Sequence, residues 1–366
     1  MGDVHVIDRS DNVFIFMYIS RRSRYGGDEY MSESKIREIL IDNNNRVINY
    51  LRVSITDRCN LRCMYCMPEE GVDFLSHHDI LRYEEILRIV KLSVRRGIRK
   101  IRLTGGEPLV RKGFLGFLEA LSKIEGLKEI TLTTNGVLLK EYAADIRRCG
   151  VHRINISLDS LKRERFLNIT GRDLFEQVWD GIQEAERLGF DPIKINVVAM
   201  KGINDDEIQD FARLTLDKPY HIRFIEQMPV GEHNTWSHDR FMPILEIFNL
   251  ISMIGKLTPI MKRNALDGPA QRFILEGANG EIGLIGALSN HFCNICNRLR
   301  LTADGHLRGC LFSEEEIDIK PSLRRGEGDE VLLSLLETAI KEKPKSHNLS
   351  SKSPKNCARQ MSSIGG

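Results

Sequence analysis

The sequence lacks three features that would assign it at once to a large class of proteins. No apolar run approaches the roughly 20 residues that a membrane-spanning helix requires. No excess of one charge marks a nucleic-acid-binding protein, since Lys and Arg total 53, Asp and Glu total 51, and the net charge is +2. The apolar stretch 13–19 is preceded by Asp3, Asp8 and Asp11 and followed by Arg21 and Arg22, an order that argues against a secretory signal. We therefore expect a cytoplasmic protein that binds neither membrane nor nucleic acid.

Cysteine is scarce, but six of the eight cysteines fall in two sets of three. The first set, Cys59, Cys63 and Cys66, has the spacing C-x₃-C-x₂-C and follows a segment rich in β-branched residues, which predicts a strand. A closed structural zinc site needs four protein ligands, whereas a 4Fe–4S cluster takes one cysteine per iron. A cluster held by three cysteines would therefore keep one iron free for another ligand.

Other interpretations of the first set stay open at this point. A disulfide is disfavoured because nothing marks a secreted chain. Zinc with a fourth ligand from His77 or His78 is an alternative, and core cysteines grouped by chance are another. The remaining cysteines, Cys149 and Cys357, have no Cys or His neighbour at ligand spacing, so we interpret them as bystanders.

Short β-rich segments alternate with amphipathic helical segments from Tyr50 onward. The predicted strands are 52–56, 100–104, 129–133, 153–158, 193–199 and 221–225. The predicted helices between and after them are 83–96, 114–124, 138–148, 174–188 and 205–216, with two more at 243–254 and 327–345. This alternation predicts parallel strands with right-handed crossovers, in either a doubly wound sheet or a β/α barrel.

Unusual polar segments follow the predicted strands at their carboxyl ends. They are the first cysteine set, Gly105-Gly-Glu-Pro108, Thr133-Thr-Asn-Gly136, Ser157–Ser160, Met200-Lys201 and Glu226-Gln-Met228. In β/α barrels this rim carries the chemistry, so the placement favours a barrel. Six units rather than eight predict a partial, open TIM-type barrel whose open side a second module covers.

The alternation of strands and helices stops after Pro229, and shorter strand-like pieces appear at 271–276 and 281–285. A chain of 366 residues is long enough for about two domains. We predict a peripheral N-terminal segment at 1–45, an α/β partial barrel at 46–257 and a small C-terminal domain at 258–345. Residues 346–366, rich in Ser, Lys and Asn, are predicted to form a mobile tail that ends in Gly-Gly.

The second cysteine set lies in the predicted C-terminal domain. Cys293, Cys296 and Cys310 again offer three ligands, and zinc completed by His291 or His306 is a serious alternative on spacing alone. Two sets of three in one chain are more specific than either set by itself. Together they favour two iron–sulfur clusters, each with one iron that is open to a ligand.

The first set, with the aromatic Tyr65 before its last cysteine, resembles the C-x₃-C-x-aromatic-C signature of the radical S-adenosylmethionine (SAM) family. The resemblance implies a partial (β/α)₆ barrel closed by a small iron–sulfur domain. It implies that the free iron binds SAM and that one electron cleaves SAM to a 5′-deoxyadenosyl radical. On the same resemblance, Tyr65, Gly106, Ser157 and Met228 contact SAM.

From about Tyr50 to the C-terminus the chain resembles, more narrowly, the GTP 3′,8-cyclases that begin molybdenum-cofactor synthesis. The likeness rests on both cysteine sets and on the segments 54–60, 223–226, 267–270, 280–283 and 310–313. It implies two 4Fe–4S clusters, the second of which binds guanine through its free iron. The implied reaction removes the ribose 3′ hydrogen of GTP and closes a bond to C8, giving (8S)-3′,8-cyclo-7,8-dihydroguanosine 5′-triphosphate.

A nucleoside triphosphate carries about four negative charges and needs fixed cations in a water-poor site. Candidate cations stand beside strand ends or the second cysteine set: Arg52, Arg102, Lys194, Arg298 and Arg300. The resemblance adds Thr133 and Leu299 as GTP contacts. It also implies that the terminal Gly365 and Gly366 reach into the active site.

The resemblance implies GTP as substrate, a low-potential electron donor and a downstream cyclic pyranopterin monophosphate synthase, and it allows a homodimer. Two alternatives stay open. A radical SAM peptide-modifying enzyme with an auxiliary cluster would be expected to carry more than three cysteines in its C-terminal module. An iron–sulfur sensor or a zinc-bound interaction protein would have no need of the Gly-Gly-Glu-Pro segment and the polar rim.

Overall fold

Parallel strands joined by helices form the centre of the fold, as the sequence predicts. The computed structural model describes residues 39–67, 71–231, 236–261, 266–347, 349, 357 and 359–365. All of these residues belong to one compact unit, Arg37–Gly366. The predicted N-terminal segment and tail are therefore described only in part, and Gly366 lies outside the described residues.

The described strands build a single open sheet. They are β1 (Tyr50–Ser54), β2 (Lys100–Thr104), β3 (Glu129–Thr134), β4 (Arg153–Ser157), β5 (Ile193–Ala199), β6 (His221–Glu226), β7 (Leu257–Pro259), β8 (Gln271–Leu275), β9 (Glu281–Ile285), β10 (Arg298–Leu301), β11 (His306–Arg308) and β12 (Ile317–Asp318). Their order is β12-β11-β10-β1-β2-β3-β4-β5-β6-β9-β8-β7. From β10 through β9 all neighbours are parallel, and the outer strands are antiparallel. The predicted partial barrel is confirmed, and the sheet does not close.

Helices follow the parallel strands and cover the sheet with apolar faces. They are α1 (Tyr83–Arg95), α2 (Phe114–Ser122), α3 (Leu139–Arg148), α4 (Arg163–Thr170), α5 (Phe175–Arg187), α6 (Ile208–Asp217), α7 (Ile244–Ser252), α8 (Lys320–Arg324), α9 (Asp329–Lys341) and α10 (Met361–Ile364). In α1 the buried Ile86, Ile89 and Val90 have helical spacing, and the Glu85 carboxylate accepts the Arg82 backbone N–H at 2.7 Å. In the described part of the chain, no helix is long and apolar enough to cross a membrane.

The register of the sheet places three arginines side by side. Arg52 on β1 is paired with Arg300 on β10 and with Arg102 on β2. Successive side chains of a strand face opposite sides. The neighbours Leu51 and Leu299 are correspondingly buried in the hydrophobic core. The alternation in β10 thus separates a charged face from an apolar face.

Strands β7 and β10–β12 and helices α4, α8 and α10 were not among the sequence-based predictions. Strand β10 comes from the predicted C-terminal domain and pairs with β1, and β9 from the same domain pairs with β6. The C-terminal region therefore extends the sheet at both ends. The boundary between residues 257 and 258 stays a prediction.

The Gly-Gly-Glu-Pro segment after β2 packs on the backbone that leads into the first cysteine set. The Gly106 N–H donates to the carbonyl oxygen of Thr56 at 2.8 Å, and the Glu107 N–H donates to the carbonyl oxygen of Arg58 at 2.8 Å. A Cβ atom on Gly106 would lie 2.4 Å from the carbonyl oxygen of Arg58. Glycine is required here because two backbones touch, which adds a structural reason to the predicted contact with SAM.

We predict that Gly106→Ala displaces the backbone ahead of Cys59. The expected cost is about 1–3 kcal/mol of the free energy of unfolding, as for other overpacked sites, together with reduced iron content after reconstitution. Gly116→Ala is the matched control, because a Cβ on Gly116 in α2 meets nothing within 4 Å and alanine favours the helix. Wild-type stability and iron content in Gly106→Ala would contradict this account.

Candidate active site

A cavity of about 300 Å³ is lined by residues on the parallel strands, by segments that follow their carboxyl ends, and by the segments around both cysteine sets. The predicted site residues that line it are Cys59, Cys63, Cys66, Cys293, Cys296, Cys310, Tyr65, Gly106, Ser157, Met228, Arg52, Arg102, Thr133, Arg298 and Arg300. The two sets of three thiols, more than 220 residues apart in the sequence, therefore line one space.

The thiols of the first cysteine set are partly buried, and at Cys59 burial raises the pKa by more than the nearby Arg62 lowers it. Burial, and to a lesser degree the charges of Cys59 and Asp159, raise the pKa of Cys66 to about 12. Burial also raises the pKa of Cys63 and of Cys59, although the Asn135 side-chain N–H donates to the Cys59 Sγ atom at 3.7 Å. Three partly buried thiols with raised pKa values fit a cationic metal centre that holds them as thiolates.

Asp159, two residues beyond β4, ties the first cysteine set to β5. Its Oδ2 atom accepts the Tyr65 hydroxyl at 2.6 Å, and its Oδ1 atom accepts the Val198 backbone N–H at 2.8 Å. Burial raises the pKa of Asp159 to about 6 against the opposing effect of these two hydrogen bonds. Asp159 thus fixes the hydroxyl group of Tyr65 close to two cysteines of the first set.

The second cysteine set lies in cationic surroundings. Burial alone would raise the pKa of Cys296, but Lys343 and Arg298 outweigh it and lower the pKa to about 7. The Lys343 ammonium donates to the Cys296 Sγ atom at 3.4 Å. Burial raises the pKa of Cys293. At this set the protein itself supplies positive charge to a thiolate.

Of the histidines considered as zinc ligands, His77 and His78 are exposed, and the His306 Nδ1 atom lies 3.2 Å from the Asp304 carboxylate. His291 lines the first cavity together with the second cysteine set. Within the described ranges, no group of three His, Cys, Asp or Glu side chains has the arrangement that holds a single metal ion. A 4Fe–4S cluster distributes its thiolates over separate irons and does not need that convergence.

A row of cations forms one wall of the cavity. Arg52, Arg102 and Arg300 are 7%, 8% and 7% exposed. Burial, followed by the charge of Arg298, lowers the pKa of Arg300 to about 10, and burial lowers the pKa of Arg52. Side-by-side burial of like charges is unfavourable unless an anion offsets them, so this wall suits a polyanionic ligand.

Tyr50 lies within this row of cations. Its ring centroid is 5.2 Å from the Lys100 ammonium and 5.7 Å from the Arg102 guanidinium. Burial raises the pKa of Tyr50, but Arg102, Arg52 and further cations outweigh burial and lower it to about 7. No described residue is a hydrogen-bond partner of its hydroxyl.

Lys194 lines a second cavity of about 180 Å³ that shares Arg102 and Arg223 with the first. Burial, followed by the charges of Arg223 and Arg102, lowers the pKa of Lys194 to about 6. Burial and Arg102 lower the pKa of Arg223 to about 9, and its Nη1 atom donates to the Asn155 side chain at 3.1 Å. The positive charge of the first cavity therefore continues into the second.

Three residues that line the first cavity also have buried side-chain oxygen atoms without partners among the described residues. The side-chain oxygens of Thr104, Thr133 and Asn196 have no hydrogen-bond partner among the described residues. Buried polar atoms left unpaired cost free energy. The residues at this end of the strands therefore fit polar ligands such as SAM and a nucleotide.

Leu299 is the predicted GTP contact that the structure does not bring to either cavity. Its side chain is fully buried in the hydrophobic core, because strand alternation turns it away from Arg298 and Arg300. We therefore correct its predicted role: a side-chain contact between Leu299 and GTP does not fit this fold.

The described end of the predicted mobile tail has a defined place. Helix α10 buries Ile364, and the carbonyl oxygen of Gly365 accepts a hydrogen bond from Arg300. A Cβ on Gly365 would lie 2.4 Å from the Thr104 hydroxyl oxygen, so a side chain there would collide. Gly365 thus lies beside the arginine row, and the active-site role of the Gly-Gly end stays a prediction.

Sequence reasoning assigned no role to Tyr50, Asn135, Asp159 or Arg223, all of which line the first cavity. A usable signal existed for three of them. Asn135 and Asp159 follow predicted strands within the polar rim, and Arg223 belongs to a segment that carries the cyclase resemblance. Tyr50 is the first residue of β1, and no sequence pattern indicated a role for it.

Comparison with known proteins identifies the family. Residues 53–215 match the model of the Radical SAM superfamily, and residues 220–349 match the model described as Molybdenum Cofactor Synthesis C. A structure of SuiB from Streptococcus suis bound to S-adenosylmethionine has a TM-score of 0.55 at 14% identity. The match covers 82% of this chain and 65% of that one, and it shows the fold alone.

Relatives of known activity are similar over nearly their whole length. A GTP 3′,8-cyclase of Thermodesulfovibrio yellowstonii is 52% identical over 327 residues, which cover 89% of this chain and 99% of the relative. A GTP 3′,8-cyclase of Geobacter sulfurreducens is 49% identical, with the same coverage. The chain therefore belongs to the GTP 3′,8-cyclase family within the radical SAM superfamily.

Proposed function

We propose that this chain catalyses the SAM-dependent 3′,8-cyclisation of GTP, the first step of molybdenum-cofactor synthesis. The reaction removes the ribose 3′ hydrogen and joins C3′ to C8 of guanine. The observation that carries the proposal is the single cavity lined by two sets of three thiols and by the row Arg300, Arg52 and Arg102. A peptide-modifying enzyme or a sensor gives no reason for this buried positive charge.

We assign the first 4Fe–4S cluster to Cys59, Cys63 and Cys66 and the second to Cys293, Cys296 and Cys310. When bound, the first cluster and SAM together supply a carbon radical that can take a hydrogen atom. Tyr65, Gly106, Ser157 and Met228 are the proposed SAM contacts. The hydrogen bond from Tyr65 to Asp159 fixes the segment between the second and third cysteines.

The proposed GTP contacts divide by charge. Arg52, Arg102 and Arg300, with Arg298 and Lys194, offset the charge of the triphosphate. Thr133 offers an unpaired hydroxyl for a polar contact. The guanine base is assigned to the region of the second cysteine set, and the Gly365-Gly366 end to the wall beside Arg300. Fixed cations in a buried cavity hold the nucleotide while the radical step proceeds.

The remaining partners are part of the proposal. The first cluster needs a low-potential electron donor, and the triphosphate product needs a cyclic pyranopterin monophosphate synthase to consume it. None of the eight cysteines forms a disulfide. We place the chain in the cytoplasm, where thiols stay reduced. A homodimer is compatible with the proposed reaction.

An anaerobic assay tests the proposed reaction. The protein, reconstituted with iron and sulfide, is mixed with SAM, a reductant and one nucleoside triphosphate at a time. We expect 5′-deoxyadenosine together with consumption of GTP and not of ATP. Deoxyadenosine with every nucleotide intact would favour a peptide substrate, and no deoxyadenosine from iron-replete protein would favour a sensor.

Replacing one cysteine of the first set and one of the second set should affect SAM cleavage and cyclisation differently. Cys63→Ala should abolish SAM cleavage, because the first cluster loses a ligand. Cys296→Ala should keep some uncoupled SAM cleavage but lose cyclisation, because the second cluster binds substrate rather than SAM. Deoxyadenosine and cyclic product are quantified separately, with Cys149→Ala as the control outside both cavities. Intact cyclisation in Cys296→Ala would overturn this division of roles.

The affinity for GTP should depend on pH through Lys194. Its pKa of about 6 leaves it neutral at pH 7 in the free protein, whereas a triphosphate favours the cationic form. Binding therefore takes up a proton, and affinity should fall as the pH rises above about 6, towards ~tenfold per pH unit. Titration calorimetry in buffers of different ionisation enthalpy measures this uptake.

Lys194→Met is the matched variant for that titration. It should bind GTP more weakly at pH 6, and its affinity should lose most of the dependence on pH. Equal proton uptake by the variant and the wild-type protein would exclude Lys194 as the titrating group.

A further inference from the structure

Lys343 is a buried cation to which the proposed reaction gives no role. It follows α9 and is 4% exposed. Its ammonium group donates one hydrogen bond to the Cys296 Sγ atom at 3.4 Å and another to the carbonyl oxygen of Gly309. Since Gly309 precedes Cys310, a single ammonium group connects the segments of two cysteines of the second set.

The stem of Lys343 is fixed by close packing. A Cβ atom on Gly309 would lie 2.9 Å from the Lys343 Cα atom and 3.1 Å from its Cβ atom. Any side chain at position 309 would push the lysine away from the cysteines. The absence of a side chain at Gly309 is therefore what allows the lysine backbone to pass directly behind the second set.

The turn at 42–46 holds the backbone around Lys343 in place. The Arg46 guanidinium donates to the carbonyl oxygens of Cys293 at 2.7 Å and of Pro344 at 2.7 Å. Asp42 orients Arg46 through an ion pair of 2.6 Å, and the Asn44 side-chain N–H donates to the Lys343 carbonyl oxygen at 3.3 Å. The position of the ammonium group is thus set by contacts from three separate parts of the chain.

We propose that Lys343 is a positioning residue that holds the Cys296 thiolate and raises the reduction potential of the second cluster. The inference rests on the proposed function, since it assumes that the second set holds a cluster. Reduction adds negative charge to a cluster, and a cation hydrogen-bonded to a ligand sulfur stabilises that charge. Lys343 therefore acts on the cluster through Cys296 and needs no contact with GTP.

The test isolates the second cluster. A parent protein with Cys59, Cys63 and Cys66 all replaced by Ala is reconstituted anaerobically, and its iron content and midpoint potential are measured by redox titration with electron paramagnetic resonance. Lys343→Met should keep most of the iron and shift the potential to a more negative value. The expected shift corresponds to at least a tenfold change in the ratio of oxidised to reduced cluster, about 59 mV for one electron.

Three further variants separate charge from packing. Lys343→Arg keeps the charge and should stay close to the parent. Lys343→Gln keeps a donor without the charge, and it should shift the potential in the same direction as Lys343→Met. Lys341→Met removes an equal charge from an exposed site at the end of α9 and should leave the potential unchanged.

The outcomes distinguish this inference from the function on which it rests. Full iron with an unchanged potential in both Lys343→Met and Lys343→Gln would overturn the role of Lys343 alone. A parent that takes up no iron–sulfur cluster at the second set would overturn the proposed second cluster, and the inference with it. If Lys343→Met loses iron, the potential of Lys343→Gln tests the role of Lys343 instead, because the glutamine side chain still offers a hydrogen-bond donor to Cys296.

Discussion

Arg300, Arg52 and Arg102 lie side by side on three neighbouring strands, and each is almost fully buried. Burying an ion costs several kcal/mol unless a partner offsets its charge. The sheet register enforces this row, because β10 returns from the far end of the chain to pair with β1. The fold thus places three buried cations on its central strands, of which Arg300 also binds Gly365 and Arg102 also lines the cavity that contains Lys194.

The two cysteine sets have the same number of ligands but opposite electrostatic surroundings. Around the first set, burial and the nearby Asp159 raise the pKa of the thiols, so these thiolates need the charge of the metal centre itself. Around the second set, Lys343 and Arg298 already stabilise the Cys296 thiolate without the charge of a metal centre. Two clusters with the same ligands would therefore differ in potential, which suits one that delivers an electron and one that binds substrate.

Local patterns in the sequence were enough to predict β1–β6, most of the helices between them, and the rim on which the cysteines lie. They did not predict β10 as a partner of β1, because this pairing joins residues about 250 positions apart and β10 is only four residues long. The role of Lys343 was not predicted for the same reason, since Lys343 acts through a contact with Cys296, 47 residues away in the sequence. Leu299 is the opposite case: strand alternation, readable in the sequence, argues against the role that the resemblance gave it.

Arg300 connects the arginine row with Gly365. Its guanidinium group holds the carbonyl oxygen of Gly365 and at the same time belongs to the arginine row. A guanidinium group has five N–H donors in a planar fork, so it can hold a backbone carbonyl and an anion together. The position of the tail and the arrangement of the cations therefore depend on each other. A glycine beside Arg300 lets the chain end reach this point, because Thr104 and Ser54 leave no space for a side chain.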